Sequence, residues 1–268
     1  MKIFFAGLTK QRAEFLSSYG ASNFLASFEA KTTVEISGKV LADRNDGFLL
    51  IDSGAFSAWN SGKEIILKEY IEFVKDFYGR YEEKIGNIYC ANLDVIPGVQ
   101  GIVPTRKQVE EASRQGWDNM LQMEKAGITP IHIFHQGEDF EWLERISNRH
   151  RYIGISPSND AAFKDKKQWL AKVFGTIKAK NMTHGFAVVK ESFLRLFPFY
   201  SVDSTTWFSA EKFGSSAYAP GFEQEGLNNR CRSHIWYIIG NNIINLIKMQ
   251  KRCTALWKMR GVVWEEDE

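Results

Sequence analysis

Six short apolar runs, each closing on a polar or glycine-containing turn, recur along this chain and limit what it can fold into. They are KIFFAG (2–7), FLLIDSGAF (48–56), NIYCANLDV (87–95), PIHIFHQG (130–137), RYIGISPS (151–158) and FYSVDSTTW (199–207). A seventh, THGFAVV (183–189), has the same character. The runs are rich in β-branched and aromatic residues and nearly unbroken in hydrophobicity, as strands covered on both faces are. Helical patterns separate them. Residues 67–85 place Tyr70, Phe73, Val74, Phe77 and Tyr81 on one face at steps of three and four, and residues 105–126 run from Thr105 through Val109, Trp117, Met120 and Met123. Shorter versions occupy 138–148, 165–180 and 190–198. Strand–helix alternation predicts an α/β chain, and this many strands in 268 residues favour a (β/α)8 TIM-type barrel over an open doubly wound sheet. The closing strand of that barrel is allowed to be irregular or incomplete. Neither G-x-G-x-x-G nor G-x-x-x-x-G-K-[ST] is present to support a nucleotide-binding open sheet. The expected division is a catalytic barrel over 1–225 and a basic helical extension, packed on the barrel, over 226–268. Residues 20–47 and 208–230 stay open between completing the barrel and forming insertions.

Charge adds a second constraint. The formal net charge is only +2, yet no acidic residue occurs from Gly226 to Trp264. Seven basic residues fall in that stretch: Arg230, Arg232, Lys248, Lys251, Arg252, Lys258 and Arg260. Such asymmetry suits a nucleic-acid binder, with the first six as phosphate contacts, and it suits a solvated helix face equally well. The composition, 44% hydrophobic and 25% charged, is that of an ordinary globular chain. No apolar stretch is long enough for a membrane span, and MKIFF reads as a first strand rather than a signal peptide. Cys90, Cys231 and Cys253 lie too far apart for a disulfide framework or a paired zinc spacing, which fits a reducing cytoplasm.

The polar groups at the strand ends carry the chemistry. Asp52-Ser53-Gly54 follows one run, Asn92 and Asp94 another, and His135-Gln136-Gly137 a third. Gly154 and Ser156 lie in YIGIS, His184-Gly185 precede FAVV, and Asp203-Ser204 follow FYSV. In a parallel barrel all of these open on one face, where catalytic groups collect. Taken singly, an aspartate after a strand is often the cap of the next helix, and a glycine often only permits a turn. His132 and His135 are three apart, which puts them on opposite sides of a strand and argues against a shared metal. Trp59 and Trp207 could stack on bases. Trp142 and Trp169 read as core.

The pieces IDSGAFSAW (51–59), CANLDVIPG (90–98), IHIFHQGED (131–139), YIGISPS (152–158) and HGFAVV…FYSVDSTTW (184–207) resemble the tRNA-guanine transglycosylase superfamily. The likeness is to its short phage-type branch, which inserts 7-deazaguanine bases into DNA. The resemblance implies that Asp52 is the acid/base beside the purine, with Ser53, Gly54 and Phe56 around it. It implies Asp94 as the base-reading carboxylate, Gln136 as a contact to the heterocycle, Gly154 as backbone facing the base, and Asp203 as the nucleophile. His184 is placed with the substrate-binding group. The zinc-binding C-x-C-x-x-C…H element of the tRNA enzymes is missing, and Glu138 stands where a second glycine is usual.

These readings predict a pentosyltransferase that exchanges guanine for a 7-deazaguanine through a covalent aspartyl–sugar intermediate. Two displacements by paired carboxyls explain the choice of residue types. Its expected partners are DNA ahead of tRNA and the free base. No cofactor and no metal is expected, a homodimer is left open, and the expected compartment is the cytoplasm of a phage-infected bacterium. The same exchange on tRNA, or a non-catalytic barrel that binds nucleic acid or a deazapurine, are the alternatives.

Overall fold

The computed structural model describes residues 1–42, 44, 46–99, 102–157, 165–178, 180–213 and 232–264. Eight parallel strands form one sheet: β1 (Lys2–Phe5), β2 (Asn23–Ser27), β3 (Phe48–Asp52), β4 (Asn87–Cys90), β5 (His132–His135), β6 (Tyr152–Ser156), β7 (Met182–Gly185) and β8 (Ser201–Ser204). Their spatial order is β4-β3-β2-β1-β8-β7-β6-β5. The two end strands meet at one parallel bridge between Ala91 and Ile131. There Ile131 N–H donates to Cys90 O at 2.8 Å and Asn92 N–H to Ile131 O at 2.9 Å. The sheet therefore curls round on itself, and the fold is the α/β TIM type predicted from the alternation. The irregular joint lies between β4 and β5, whereas β8 pairs with β1 over four residues.

Helices follow the strands: α1 (Lys10–Ser18), α2 (Lys31–Leu41), α3 (Ala55–Asn60), α4 (Leu67–Tyr81), α5 (Arg106–Lys125), α6 (Phe140–Arg149), α7 (Lys166–Thr176), α8 (Glu191–Leu194), α9 (Ser209–Phe213) and α10 (Arg232–Met259). The expected face of α4 is the buried one, with Tyr70, Val74, Phe77 and Tyr81 inside. A capping box between Thr105 and Gln108 starts α5 and satisfies backbone N–H groups that the first turn leaves open.

Alternation along each strand divides the core in two. Outward residues such as Ile3, Phe5, Phe24, Ile51, Ile153 and Val202 pack under the helices. Inward ones, among them Phe4, Leu25, Leu50, Tyr152 and Met182, fill the barrel interior. Trp264, just beyond α10, packs against the same inner cluster and lies 6.4 Å from the Tyr200 ring. Tyr200 immediately precedes β8, so the chain returns to the end of the barrel where the strands begin.

Residues 232–264 act as an outer helix of the barrel. Ile239, Ile243 and Leu246 are fully buried, and Trp257 nearly so. At roughly 1.5–3 kcal/mol per buried side chain, α10 is bound into the core. The proposed boundary near residue 225 falls outside the described residues. Among those residues, no helix is long and apolar enough to cross a membrane.

Candidate active site

Strands β3, β5 and β8 each carry an inward polar residue toward the C-terminal end. On β3 this is Asp52. Tyr70 of α4 holds that region: its hydroxyl donates to the carbonyls of Ile51 (3.2 Å) and Ala91 (2.8 Å), fixing the ends of β3 and β4 side by side. The chain then turns sharply at Gly54, whose φ of 81° is left-handed. A side chain there would meet Ser27 Oγ at 2.5 Å and Glu29 Cβ at 2.7 Å, so only glycine fits. Gly54 N–H donates back to Asp52 Oδ2 at 3.1 Å. Glycine here aims the carboxylate.

The three aspartates of the sequence pattern come together. Burial, then the charges of Asp94 and Asp203, push the Asp52 carboxyl up to about 7. A group balanced near neutrality can both give and take a proton. Asp94 lies 2.9 Å, through Oδ2, from Nε2 of His135, a distance of ion pairing without well-formed hydrogen-bond geometry. Its Oδ1 receives the Ser53 hydroxyl at 3.5 Å. Asp203 accepts the Ala187 N–H on Oδ1 at 2.8 Å, and His184 Nε2 stands 3.6 Å from the same oxygen.

Four expected substrate contacts are placed differently. Ser53 is fully buried and bonds to Asp94 and to the Ala55 N–H, so it supports the site from behind. Phe56 is 63% exposed and stands on the rim rather than in a wall. Gly154 sits mid-strand opposite His184. A Cβ there would meet the Phe186 ring at 2.8 Å and Ile133 Cγ1 at 2.9 Å, so the space in front of its backbone is already filled. His184 is 0% exposed. It lies inside β7, which begins at Met182, one layer beneath the surface that a substrate could touch. Gln136 sits at the site's edge, its N–H donating to Ser156 O at 3.0 Å and tying β5 to β6.

Lys251, Arg252 and Lys258 of α10 are not brought to this face. Gln250 Oε1 accepts the Ile3 N–H (2.7 Å) and the Thr254 hydroxyl donates to Met1 O (3.1 Å), so this half of α10 lies beside the start of β1. Lys251, Arg252 and Lys258 are exposed beyond the Gln250 level, toward the end of the barrel opposite Asp203, and Lys248, also exposed, lies just before it. Arg252 is also paired with Glu191 at 3.1 Å. Lys251, Arg252 and Lys258, expected as phosphate contacts, therefore lie away from the aspartates. Arg230 lies outside the described residues, as does the side chain of Arg232. Trp207 is fully buried with its indole N–H on Ala6 O, so it is core and not a base-stacking surface. Trp59 donates to Gly98 O at 3.1 Å and joins α3 to the loop after Asp94.

No protein-family model matches this chain, and no curated protein sequence does. Similar solved structures include a cube-shaped, highly porous protein cage designed by fusing symmetric oligomeric domains. It shares 10% identity at a TM-score of 0.43, over 97% of this chain and 76% of that one. Another is 3-hexulose-6-phosphate synthase from Salmonella typhimurium, with 10% identity and a TM-score of 0.47, over 91% of this chain and 99% of that one. Neither likeness speaks to the chemistry of the aspartates.

Two further residues belong to the site. His135 is the inward side chain at the end of β5 and touches Asp94. Burial opposes its charged form most strongly, yet the neighbouring Asp94 and Glu138 carboxyls hold its pKa above the usual value. Glu138 accepts the His135 N–H and the Ser113 hydroxyl, each at 2.9 Å, while burial raises its own pKa. The signal for His135 was its parity: His132, on the other side of the strand, faces Asn92 and Trp117 outside the barrel. Burial drives the His132 pKa down to about 3.

Proposed function

We propose that this chain is a base-exchange glycosyltransferase acting on nucleic acid, with DNA as the favoured polymer, that replaces guanine by a 7-deazaguanine. The observation that carries this reading is the convergence of three strand-end carboxylates in different environments. Asp52 is poised near neutrality, Asp94 is braced by His135 and Ser53, and Asp203 is held by a backbone N–H. That division of labour matches what N-glycoside exchange asks for.

In the first displacement an oxygen of Asp203 bonds to C1′ as the bond from C1′ to the base nitrogen breaks, and the electron pair leaves on the base. Protonated Asp52 supplies the proton that neutralises it. In the second, the incoming base attacks C1′, Asp52 takes its proton, and Asp203 departs as carboxylate. Asp94 accepts from the N–H groups of the guanine edge, and a base that left it unpaired would bind poorly. A base reaches such a pocket only when turned out of its stack. Phe56 on α3 and Val99, Ile102 and Val103 on the loop that follows Asp94 are exposed apolar side chains, and they supply contact area for flanking nucleotides.

The test is exchange of labelled guanine into single-stranded DNA and into tRNA in parallel. Asp203→Ala is expected to lose the covalent adduct and at least a thousandfold in exchange, on the order of the loss when a nucleophile is removed. Unchanged turnover in that variant would refute the assignment, and incorporation into tRNA alone would exclude DNA as the substrate.

A further inference from the structure

Beneath Asp203 runs a buried chain of polar groups for which the proposed reaction has so far assigned no task. The Tyr152 hydroxyl lies 2.5 Å from Ser201 Oγ, and Ser201 Oγ lies 2.7 Å from His184 Nδ1. His184 Nε2 is buried without a hydrogen-bond partner and stands 3.6 Å from Asp203 Oδ1. The edges of Phe4 and Phe186 enclose the imidazole, with ring centroids at 5.6 and 4.4 Å. A polar row of this kind in an apolar barrel is costly unless each member is satisfied.

The direction of the row follows from its ends. Were His184 to carry its proton on Nδ1, a bare nitrogen lone pair would face a carboxylate oxygen. With Tyr152 donating to Ser201 and Ser201 to Nδ1, the proton sits on Nε2 and points at Asp203. Burial keeps the Tyr152 phenol protonated well beyond its usual range, as a terminal donor must be. From above, Asp203 Oδ1 also takes the Ala187 N–H. Among the described residues Ala187 is the one non-glycine with positive φ, at 53°. That conformation costs about 1 kcal/mol or more, and here it aims an N–H at the oxygen that His184 faces.

We propose that Tyr152, Ser201 and His184 form a positioning relay that, with the Ala187 N–H, clamps Oδ1 of Asp203 and leaves Oδ2 as the oxygen that attacks the sugar. This rests on the covalent reading above. In the adduct Oδ2 is bonded to C1′ and Oδ1 is the ester carbonyl oxygen. When the incoming base attacks C1′, the bonding pair returns to Oδ2 and the carboxylate charge spreads onto Oδ1, which the Ala187 N–H already bonds and which lies 3.6 Å from His184 Nε2. The relay therefore acts chiefly on release of the adduct.

The experiment uses the full chain, a guanine-containing single-stranded DNA and labelled guanine as incoming base. Ser201→Ala and Tyr152→Phe are each expected to slow adduct release by about tenfold, as loss of one charge-assisted hydrogen bond allows. Affinity for DNA and for guanine should stay within about twofold. Tyr152→Phe keeps the ring and guards against misfolding in the other variant. In the substrate-free protein, nitrogen NMR of His184 is expected to show the Nε2–H tautomer. Unchanged release in both folded variants, or an Nδ1–H tautomer, would overturn the relay. Absence of any adduct in the wild-type protein would instead strike at the covalent reading. The tautomer, which needs no substrate, would still decide whether His184 donates to Asp203.

Discussion

At Asp52, burial and two neighbouring carboxylates act in the same direction and oppose ionisation. A carboxyl whose folded pKa lies above its unfolded value stabilises the fold fully below about pH 4. That contribution is lost as pH rises to about 7 and then stays constant. Asp52→Asn, which never ionises, should therefore gain stability relative to the wild type across pH 4–7, levelling at a difference on the order of 4 kcal/mol. Thermal melts of both proteins over that range provide the check; a gap that does not change with pH would mean that Asp52 ionises freely. The carboxylates were legible in the sequence because Asp52 and Asp203 fall at strand ends and Asp94 lies four residues beyond β4. His135 was visible as a strand-end residue, but its partner was not, since Asp94 reaches it from another strand. The apolar run Phe186–Val189 resembles a continuation of the strand that holds His184. The chain instead leaves the sheet after Gly185 and turns at Ala187, which leaves His184 in the strand and under the site.

Among the elements, α10 shows what periodicity can and cannot tell. Its apolar positions announce a helix with a buried face, and that face is buried. Its register along the barrel depends on partners far away in sequence, such as Gln250 with Ile3 and Thr254 with Met1. Lys251, Arg252 and Lys258 consequently fall at the end away from the aspartates. Charge reversal at Lys251 and Arg252 should change DNA affinity by less than about twofold and leave its salt dependence in place. A steep loss, read by titration at two salt concentrations, would return docking to that end. Strand β2 escaped notice for a related reason. Asn23 interrupts its apolar character, and that side chain is buried because Nδ2 reaches Ile3 O (3.4 Å) and Gln250 Oε1 (3.3 Å).

For the whole molecule, alternation of strands and helices was enough to foresee a barrel, because parallel strands need helical crossovers and cover on both faces. The place where the ring is lightly joined was not foreseeable, since it reflects how two strands diverge after a single bridge. Amides at that bridge, Asn92 and Ile131, should exchange with solvent faster than those of Lys2 and Ala6, which donate to Tyr200 O and Ser204 O where β1 is laid along β8. Hydrogen exchange with residue resolution tests this, and equal protection at the two places would contradict it.

Asp94 and His135 stand on either side of that joint, so their contact is also a clasp between the two halves of the ring. A purine that engages Asp94 draws on the same carboxylate that the clasp uses. Occupancy and closure are thus linked: the guest must either share the grip with the imidazole or loosen it. An empty barrel and a filled one should then differ most in stiffness along this one line, far from the strands that carry Asp203.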